Sequence, residues 1–542
     1  MGKKSKKNKE KPAAASPEHK ELSKGEKKEV LDTVNQLLEV CSNPVNAAGP
    51  KELEEYMKIK ALVEKVIDLQ SGLCTPAVDR EKNFPGFIEW LLSNGVETSV
   101  VDIKNFPGCG YGLQATKDLK EADPFLTIPR KVMMTTQTAR DSVLGPLIGQ
   151  DKMLQAMPSI LLALHLLCEK KIPESFWKPY IDILLHIFHS AETVLLMVNY
   201  SYKTLYHEHT LIMSDSYCTP LYFTEDEIKL LKGSPVQSDC YNQLKNIARQ
   251  YAYFYRLFQN LPATSKLPIK DCFTFEDYRW AVSTVMTRQN QIPTPDGSKI
   301  TFGLIPMWDM CNHCNGTITT DYNMESDCSD CFALKEFKQG EQISIFYGAR
   351  SNAELLVHNG FVYPENDMDR TAIKLGISKS DNLIDKKTKL LTALGLAPSR
   401  MFFIYSGEIP VDPHLVSFLR VFNMTEDEIS CYDCENMSEE DLEKMGDVNT
   451  PINGENEEKL WKFLETRLAL LLRAYDTTAE EDENLLKEAG ITDNKLFIIQ
   501  LRRCEKLILQ HAVQFATEKK SGSVQNSKDN KQTDSKEKDV ES

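Results

Sequence analysis

The chain holds 542 residues, 41% of them hydrophobic, which is material for two or three domains with real cores. Its 64 basic against 79 acidic residues leave a net charge of −15, which argues against a broad phosphate-backbone-binding surface. Fourteen cysteines scattered from Cys41 to Cys504 are too sparse for a disulfide scaffold, and the start MGKKSKKNKEK lacks the apolar run of a secretory signal, so reduced thiols in the cytosol or nucleus are expected.

Residues 1–28 are rich in Lys and Ser and poor in apolar side chains, a composition expected to form a disordered basic tail. Residues 29–96 carry three helical patterns: VLDTVNQLLEVCSN, KELEEYMKIKALVEKVIDLQSG and FPGFIEWLLSNG space apolar residues three and four apart, and the last two end on Gly72 and Gly95. The period changes at about Val96. SVVDI, YGLQAT and PFLTIP are short β-type runs punctuated by Gly108, Gly110 and Gly112.

Between about 131 and 290 the β region is interrupted by amphipathic helical stretches: PSILLALHLLCEK, DCYNQLKNIARQYAYFYRLFQ and TFEDYRWAVSTVMTRQ. The last opens with Thr274-x-x-Asp277, a capping-box-like start. KITFGLIP, CFALKEF and EQISIFYG then complete the β region, which spans 97–350. Residues 351–518 read as helical, with NEEKLWKFLETRLALLLRAY and NKLFIIQLRRCEKLILQHAVQFATEK as long amphipathic helices of a separate all-α domain. Residues 519–542 have almost no apolar side chain and are expected to be a second disordered tail. The most apolar tract, Asp182 to Met213, is broken by His186, His189, Glu192 and Lys203, so no uncharged run reaches the roughly 18 residues of a bilayer span.

Two C-x-x-C pairs, Cys311–Cys314 and Cys328–Cys331, stand thirteen residues apart, and a tetrahedral zinc site is one reading of them. Against it, both pairs adjoin strand-like apolar sequence, and a third pair, Cys431 and Cys434, lies in an acidic stretch with no histidine close by. No metal is expected. GCGYG after a strand, Asn312–His313 further on, and Tyr347 in IFYGAR each have a bland reading as a turn, a satisfied core histidine and a strand-end aromatic. Their order carries the information.

That order resembles the SET-domain methyltransferases, and the β–helical insertion–β–helical layout resembles their Rubisco large-subunit methyltransferase-like branch. RQNQIP, WDMCNH, IFYGARSNAELLVHNGF, the RQYAYFY helix and the MGKKS start are similar to the histidine-directed members of that branch that act on actin, and the resemblance runs from the N-terminus to about residue 515. It implies an α+β fold: a SET-domain β-fold interrupted by a helical insertion, followed by an all-α substrate-binding domain. It also implies a protein-histidine N-tele-methyltransferase that uses S-adenosyl-L-methionine, takes actin as its partner, needs neither nucleic acid nor membrane, and works as a monomer in the cytosol and nucleus. A lysine-directed enzyme on the same fold, or a non-catalytic zinc- or actin-binding adaptor, are the alternatives. Three departures stand out. The tract 185–213 has no counterpart and is either a retained insertion or a loop peculiar to this chain. Cys109 stands where relatives often carry an acidic residue, and Asn359 replaces a small hydroxyl residue.

By resemblance, the cofactor would lie against Arg80, Cys109, Gly110, Tyr111 and Arg288, then Asp309, Met310, Cys311, Asn312 and His313, and finally Asn359, Gly360 and Phe361. Asn290 and Tyr347 would be catalytic, and Gln289, Ile292, Trp308 and Arg350 would bind substrate. Each fits the chemistry. Methyl transfer from a sulfonium is an in-line displacement that needs the nucleophile at about 3–3.5 Å. Gly110 and Gly112 let backbone approach closely, the two arginines suit a carboxylate, and Asn312 suits an ammonium group. Tyr347 would orient the acceptor at the channel mouth. An imidazole, with a pKa near about 6.5, is mostly neutral at pH 7, unlike an amine near about 10.4. The Asn290 amide can accept one imidazole N–H and leave the other nitrogen's lone pair for the methyl group, with Trp308 flanking the ring. Its competing reading is a helix C-terminal cap after STVMTRQ.

Overall fold

A computed structural model describes residues 22–43, 50–73, 79–185, 217–488 and 490–538. The basic segment 1–21, and the atypical tract from 186 onward, lie outside the described residues. Three helices open the fold: α1 Lys24–Ser42, α2 Pro50–Gln70 and α3 Arg80–Ser93. The first begins inside the stretch expected to be disordered through residue 28. The Ser23 hydroxyl accepts the Glu26 N–H at 3.3 Å and the Glu26 carboxylate accepts the Ser23 N–H at 2.7 Å, a capping box that fixes the start.

Strands β1 Val101–Phe106, β2 Gly110–Ala115, β3 Pro124–Pro129 and β4 Met134–Thr135 precede the helical insertion. After it come β5 Gln289–Pro293, β6 Ile300–Leu304, β7 Asn312–His313, β8 Thr320–Asn323, β9 Cys328–Phe332 and β10 Gln342–Ile345. The sheet orders are β1-β2-β10-β7, β3-β9-β8 and β4-β6-β5, so each sheet joins a strand from before the insertion to strands from after it. β10 runs antiparallel to β2 and parallel to β7, with Ser344 opposite Asn312 and Ile345 opposite His313. A parallel pair cannot be closed by a tight turn, and here β8 and β9 fill the connection. β9 ends at Phe332 rather than running through CFALKEF, because the chain turns away where Ala333 pairs back to Asp123.

Within the insertion lie α4 Pro158–Lys171, α5 Val236–Asn260 and α6 Phe275–Arg288. α4 is buried continuously from Ile160 to Glu169, whereas α5 buries Cys240, Leu244, Ile247, Tyr251, Phe254 and Phe258 along one stripe. Thr274 caps α6 by accepting the Asp277 N–H at 3.0 Å, as its sequence spacing predicts. The helix stops at Arg288 because Gln289 is extended, with φ −66° and ψ 144°.

Beyond α7 Asn352–Asn359 the chain is helical apart from an antiparallel ribbon of β11 Arg370–Gly376 and β12 Ser399–Tyr405, so the C-terminal region is not all-α as expected. Thr371, Ile373 and Leu375 face Phe402 and Ile404 on the inner side; runs this short are masked by their helical surroundings. The last helix runs from Asp493 to Lys538, past the expected start of a disordered tail at 519. That extension contains no proline and six Lys residues, which favour a helix. This helix joins two cores. Phe497, Ile498 and Leu501 belong to the core that unites the N-terminal helices, the sheets and the insertion; Ile508, Leu509, Ala512 and Ala516 belong to the C-terminal one. Among the described residues the cysteines are free, and no helix is long and apolar enough to cross a membrane.

Candidate active site

The GCGYG stretch forms the β1–β2 turn. Gly108 and Gly110 sit at φ 75° and 68°, a region that disfavours a Cβ, and the Cys109 N–H donates to the Phe106 carbonyl at 3.0 Å. Gly112 serves a different need: a Cβ there would stand 2.8 Å from both Asn312 Nδ2 and Gln342 Oε1, which are hydrogen-bonded to each other at 2.7 Å. This turn borders a cavity of about 300 Å³. Arg80, the first residue of α3, is buried beside it; its Nε donates to the Ile183 carbonyl at 2.7 Å and its guanidinium lies 5.1 Å from the Tyr111 ring centroid. The Tyr111 hydroxyl in turn donates to Glu81.

His313 forms another wall. Its ring lies 5.2 to 6.0 Å from those of Phe346, Tyr347, Phe361 and Tyr363, and its Nδ1 accepts the Tyr347 N–H at 3.2 Å. Burial, aided by the Arg350 charge, pushes its pKa down to about 4. The ring is therefore neutral at pH 7 and able to accept that bond.

A second cavity, of about 380 Å³, opens on the other side, with Gln289, Asn290 and Ile292 of β5, Trp308 and Arg350 in its wall. Asn290 is a strand residue opposite Gly303, not the helix cap itself, yet its Nδ2 donates to the last α6 carbonyl, Arg288 O, at 3.0 Å. That leaves Asn290 Oδ1 without a partner among the described residues. Gln289 accepts the Ser159 hydroxyl at 2.7 Å. Trp308 is 9% exposed, and its indole N–H has no partner among the described residues. It follows Met307, which holds φ 72° and ψ −52°, a positive-φ conformation that strains a residue with a side chain.

Thr287, Arg288, Asp309, Tyr347 and Asn359 line both cavities. The Tyr347 hydroxyl donates to the Cys311 carbonyl at 2.7 Å, and burial raises its pKa, so the phenol stays protonated. Asp309 accepts from the Tyr180 hydroxyl, and its Oδ1 lies 3.4 Å from Arg288 Nη1, which also donates to the Asp309 carbonyl at 3.0 Å. Burial raises the Asp309 carboxyl; burial also opposes the Arg288 charge, but Asp309 and the surrounding phenols more than hold it. Asn359 bridges the two sides by accepting from Arg350 Nη1 at 2.5 Å and donating to the Thr287 carbonyl at 3.4 Å.

The residues expected against the cofactor line the first cavity, with one exception. Cys311 faces the second: its thiol is buried and its contribution is the carbonyl that holds Tyr347. The residues expected to bind substrate, with Asn290 and Tyr347, all line the second. Tyr217, Tyr363 and Phe497 also wall the first cavity, and Tyr180 anchors Asp309. None of the four sits in a local motif, and Phe497 arrives from the last helix. Cys328 and Cys331 are buried on β9, and among the described residues no three His, Cys, Asp or Glu side chains converge as metal ligands.

A β-fold carrying one cavity on each side of a buried tyrosine defines the class, a SET-domain protein, and the comparisons agree. The SET domain model matches residues 110–348, and the Rubisco LSMT substrate-binding model matches 378–509. A crystal structure of the SET domain of LSMT bound to lysine and AdoHcy superposes with a TM-score of 0.62 at 22% identity, covering 82% of this chain and 93% of that one. Rubisco LSMT bound to AdoMet gives 0.60 at 23% identity with the same coverage. At that distance the likeness establishes the fold. The actin-histidine N-methyltransferase of Xenopus tropicalis is 46% identical over 93% of this chain and 81% of its own length; the human protein is 46% identical over 90% and 77%. The chain belongs to the actin-histidine N-methyltransferase family.

Proposed function

We propose that this protein transfers a methyl group from S-adenosylmethionine to the tele nitrogen of a histidine in actin. The relatives' shared name supports the substrate. The observation that carries the reading is the orientation of Asn290: one of its amide N–H groups is held by the Arg288 carbonyl, which leaves its oxygen as an acceptor on a residue that lines the second cavity. An acceptor there takes an imidazole N–H at the pros nitrogen and leaves the tele lone pair uncovered. A lysine ammonium would meet the same amide oxygen, but it must lose a proton before it can attack.

The first cavity fits the proposed cofactor in the chemistry of its groups. Arg80 and Arg288 suit a carboxylate, the Asn312 carboxamide oxygen suits an ammonium, and the aromatic surround of His313 suits an adenine face. When bound, the cofactor supplies an electrophilic methyl carbon on a sulfonium. The protein's own part is positional. Tyr347, kept protonated by burial and tethered to the Cys311 carbonyl, fixes the passage between the cavities. Trp308 packs the acceptor ring, and Asn290 retains the pros proton until the charged product leaves and loses it to water. Asp309 offsets the buried Arg288 charge beside that passage.

Purified protein incubated with actin and labelled S-adenosylmethionine, followed by peptide mapping in a mass spectrometer, tests this. The label is expected on one histidine ring. Label on a lysine ε-amine, or on no residue, would overturn the proposal.

A further inference from the structure

On one face of the β1-β2-β10-β7 sheet, Gly112, Asn312 and Gln342 meet. The register places Gln342 opposite Gln114 and Ser344 opposite Asn312, and side chains alternate between faces along a strand, so Gln342 shares its face with Gly112 and Asn312. Asn312 Nδ2 donates to Gln342 Oε1 at 2.7 Å across the gap that the missing Gly112 Cβ leaves open. Asn312 Oδ1 has no partner among the described residues, and Asn312 lines the first cavity. Gln342 does not touch that cavity.

We infer that Gln342 is a positioning residue for the cofactor's ammonium group: by taking an amide hydrogen of Asn312, it turns the Asn312 carbonyl oxygen toward the cavity. This rests on the reading that the first cavity holds S-adenosylmethionine. A carboxamide has two ends of nearly equal shape and opposite polarity. Rotated by half a turn, Asn312 would present an N–H donor to a cation, and a favourable contact would become a repulsive one. With its oxygen toward Asn312, Gln342 disfavours that alternative. Gln342 thus acts through Asn312, and Gly112 is the space that lets the two amides touch.

Calorimetric titration of the full chain with S-adenosylhomocysteine, and with its analogue in which hydrogen replaces the ammonium group, tests the inference. Gln342→Met keeps the side chain's length and removes the acceptor. It is expected to weaken S-adenosylhomocysteine about tenfold, the scale of one hydrogen bond to a charged group, while the analogue stays within about twofold of wild type. Gln342→Glu, which can only accept, is expected to bind S-adenosylhomocysteine at least as well as wild type. Equal weakening of both ligands by Gln342→Met, or no change in either, overturns this inference alone. A wild-type protein that binds neither ligand overturns the cofactor reading and this inference with it.

Discussion

The two cavities that meet at Tyr347 are assembled from the chain in different ways. The first takes its wall from far-separated pieces: Arg80, the turn at 108–111, Tyr217, Asn312–His313, Asn359–Tyr363 and Phe497. The second draws most of its wall from residues 286–329, with 345–350 closing the side. One therefore exists only when the whole fold is formed, while the other comes largely from one continuous stretch: the end of α6, the β5–β6 hairpin with the turn after it, and the β8–β9 pair. The cofactor side is correspondingly hard to alter piecemeal. The acceptor side can change its chemistry through two or three side chains.

Substitutions can break or sharpen that contrast. Tyr347→Phe acts where both cavities meet and should have the largest effect: a single-turnover rate lowered about 100-fold, with the KM for an actin peptide within about threefold. Parallel loss of both would count against an orienting role. Asn290→Ala touches the acceptor side alone, and turnover should fall about 30-fold, the equivalent of one buried hydrogen bond to the reacting ring, while the S-adenosylhomocysteine dissociation constant measured by calorimetry stays unchanged. Unchanged turnover would remove the tautomer argument. Phe497→Leu tests whether the last helix is a true wall of the first cavity: cofactor binding should weaken about fivefold with the peptide KM unaffected.

The smallest effect concerns the seam between the last helix and the insertion. There the buried Glu505 accepts from the Ser234 hydroxyl at 3.0 Å and the Tyr475 hydroxyl at 2.9 Å, and burial raises its pKa to about 7. A raised carboxyl favours the folded state fully at pH below its unfolded pKa, and that contribution is lost as pH rises toward 7. Glu505→Gln should therefore gain in melting temperature relative to wild type as pH climbs from 5 to 8, by about 2–4 °C, and level off above. A difference independent of pH would show that Glu505 does not titrate there.

Much of the site could be read from the chain because it lies in short, chemically specific stretches. Asn290, Trp308 and the Asn312–His313 pair all fall between positions 290 and 313, and their neighbours set their partners. Cys311 could not be read this way: adjacency to Asn312 suggested a shared wall, but after the 3₁₀ turn at Trp308–Met310 the residue borders the second cavity, with its thiol buried and its carbonyl holding Tyr347. Phe497 and Tyr217 were hidden because nothing local marks an apolar or aromatic side chain that becomes a wall only through long-range packing. The same holds for structure. Thr274 and its Asp277 partner declared a helix start openly, while β5, β7 and β8 are too short for an alternation to emerge, and β11 and β12 pair with each other beside helices that dominate the local period.

Met307 adds a consequence for anyone selecting hardier variants. A side-chain-bearing residue at that corner stores about 1–3 kcal/mol that glycine would release. Its side chain is fully buried in the main core, though, and emptying that volume costs about 2–5 kcal/mol. Heat challenge should therefore not enrich Met307→Gly: packing beneath the corner outweighs its strain and holds the bearing of the indole that follows.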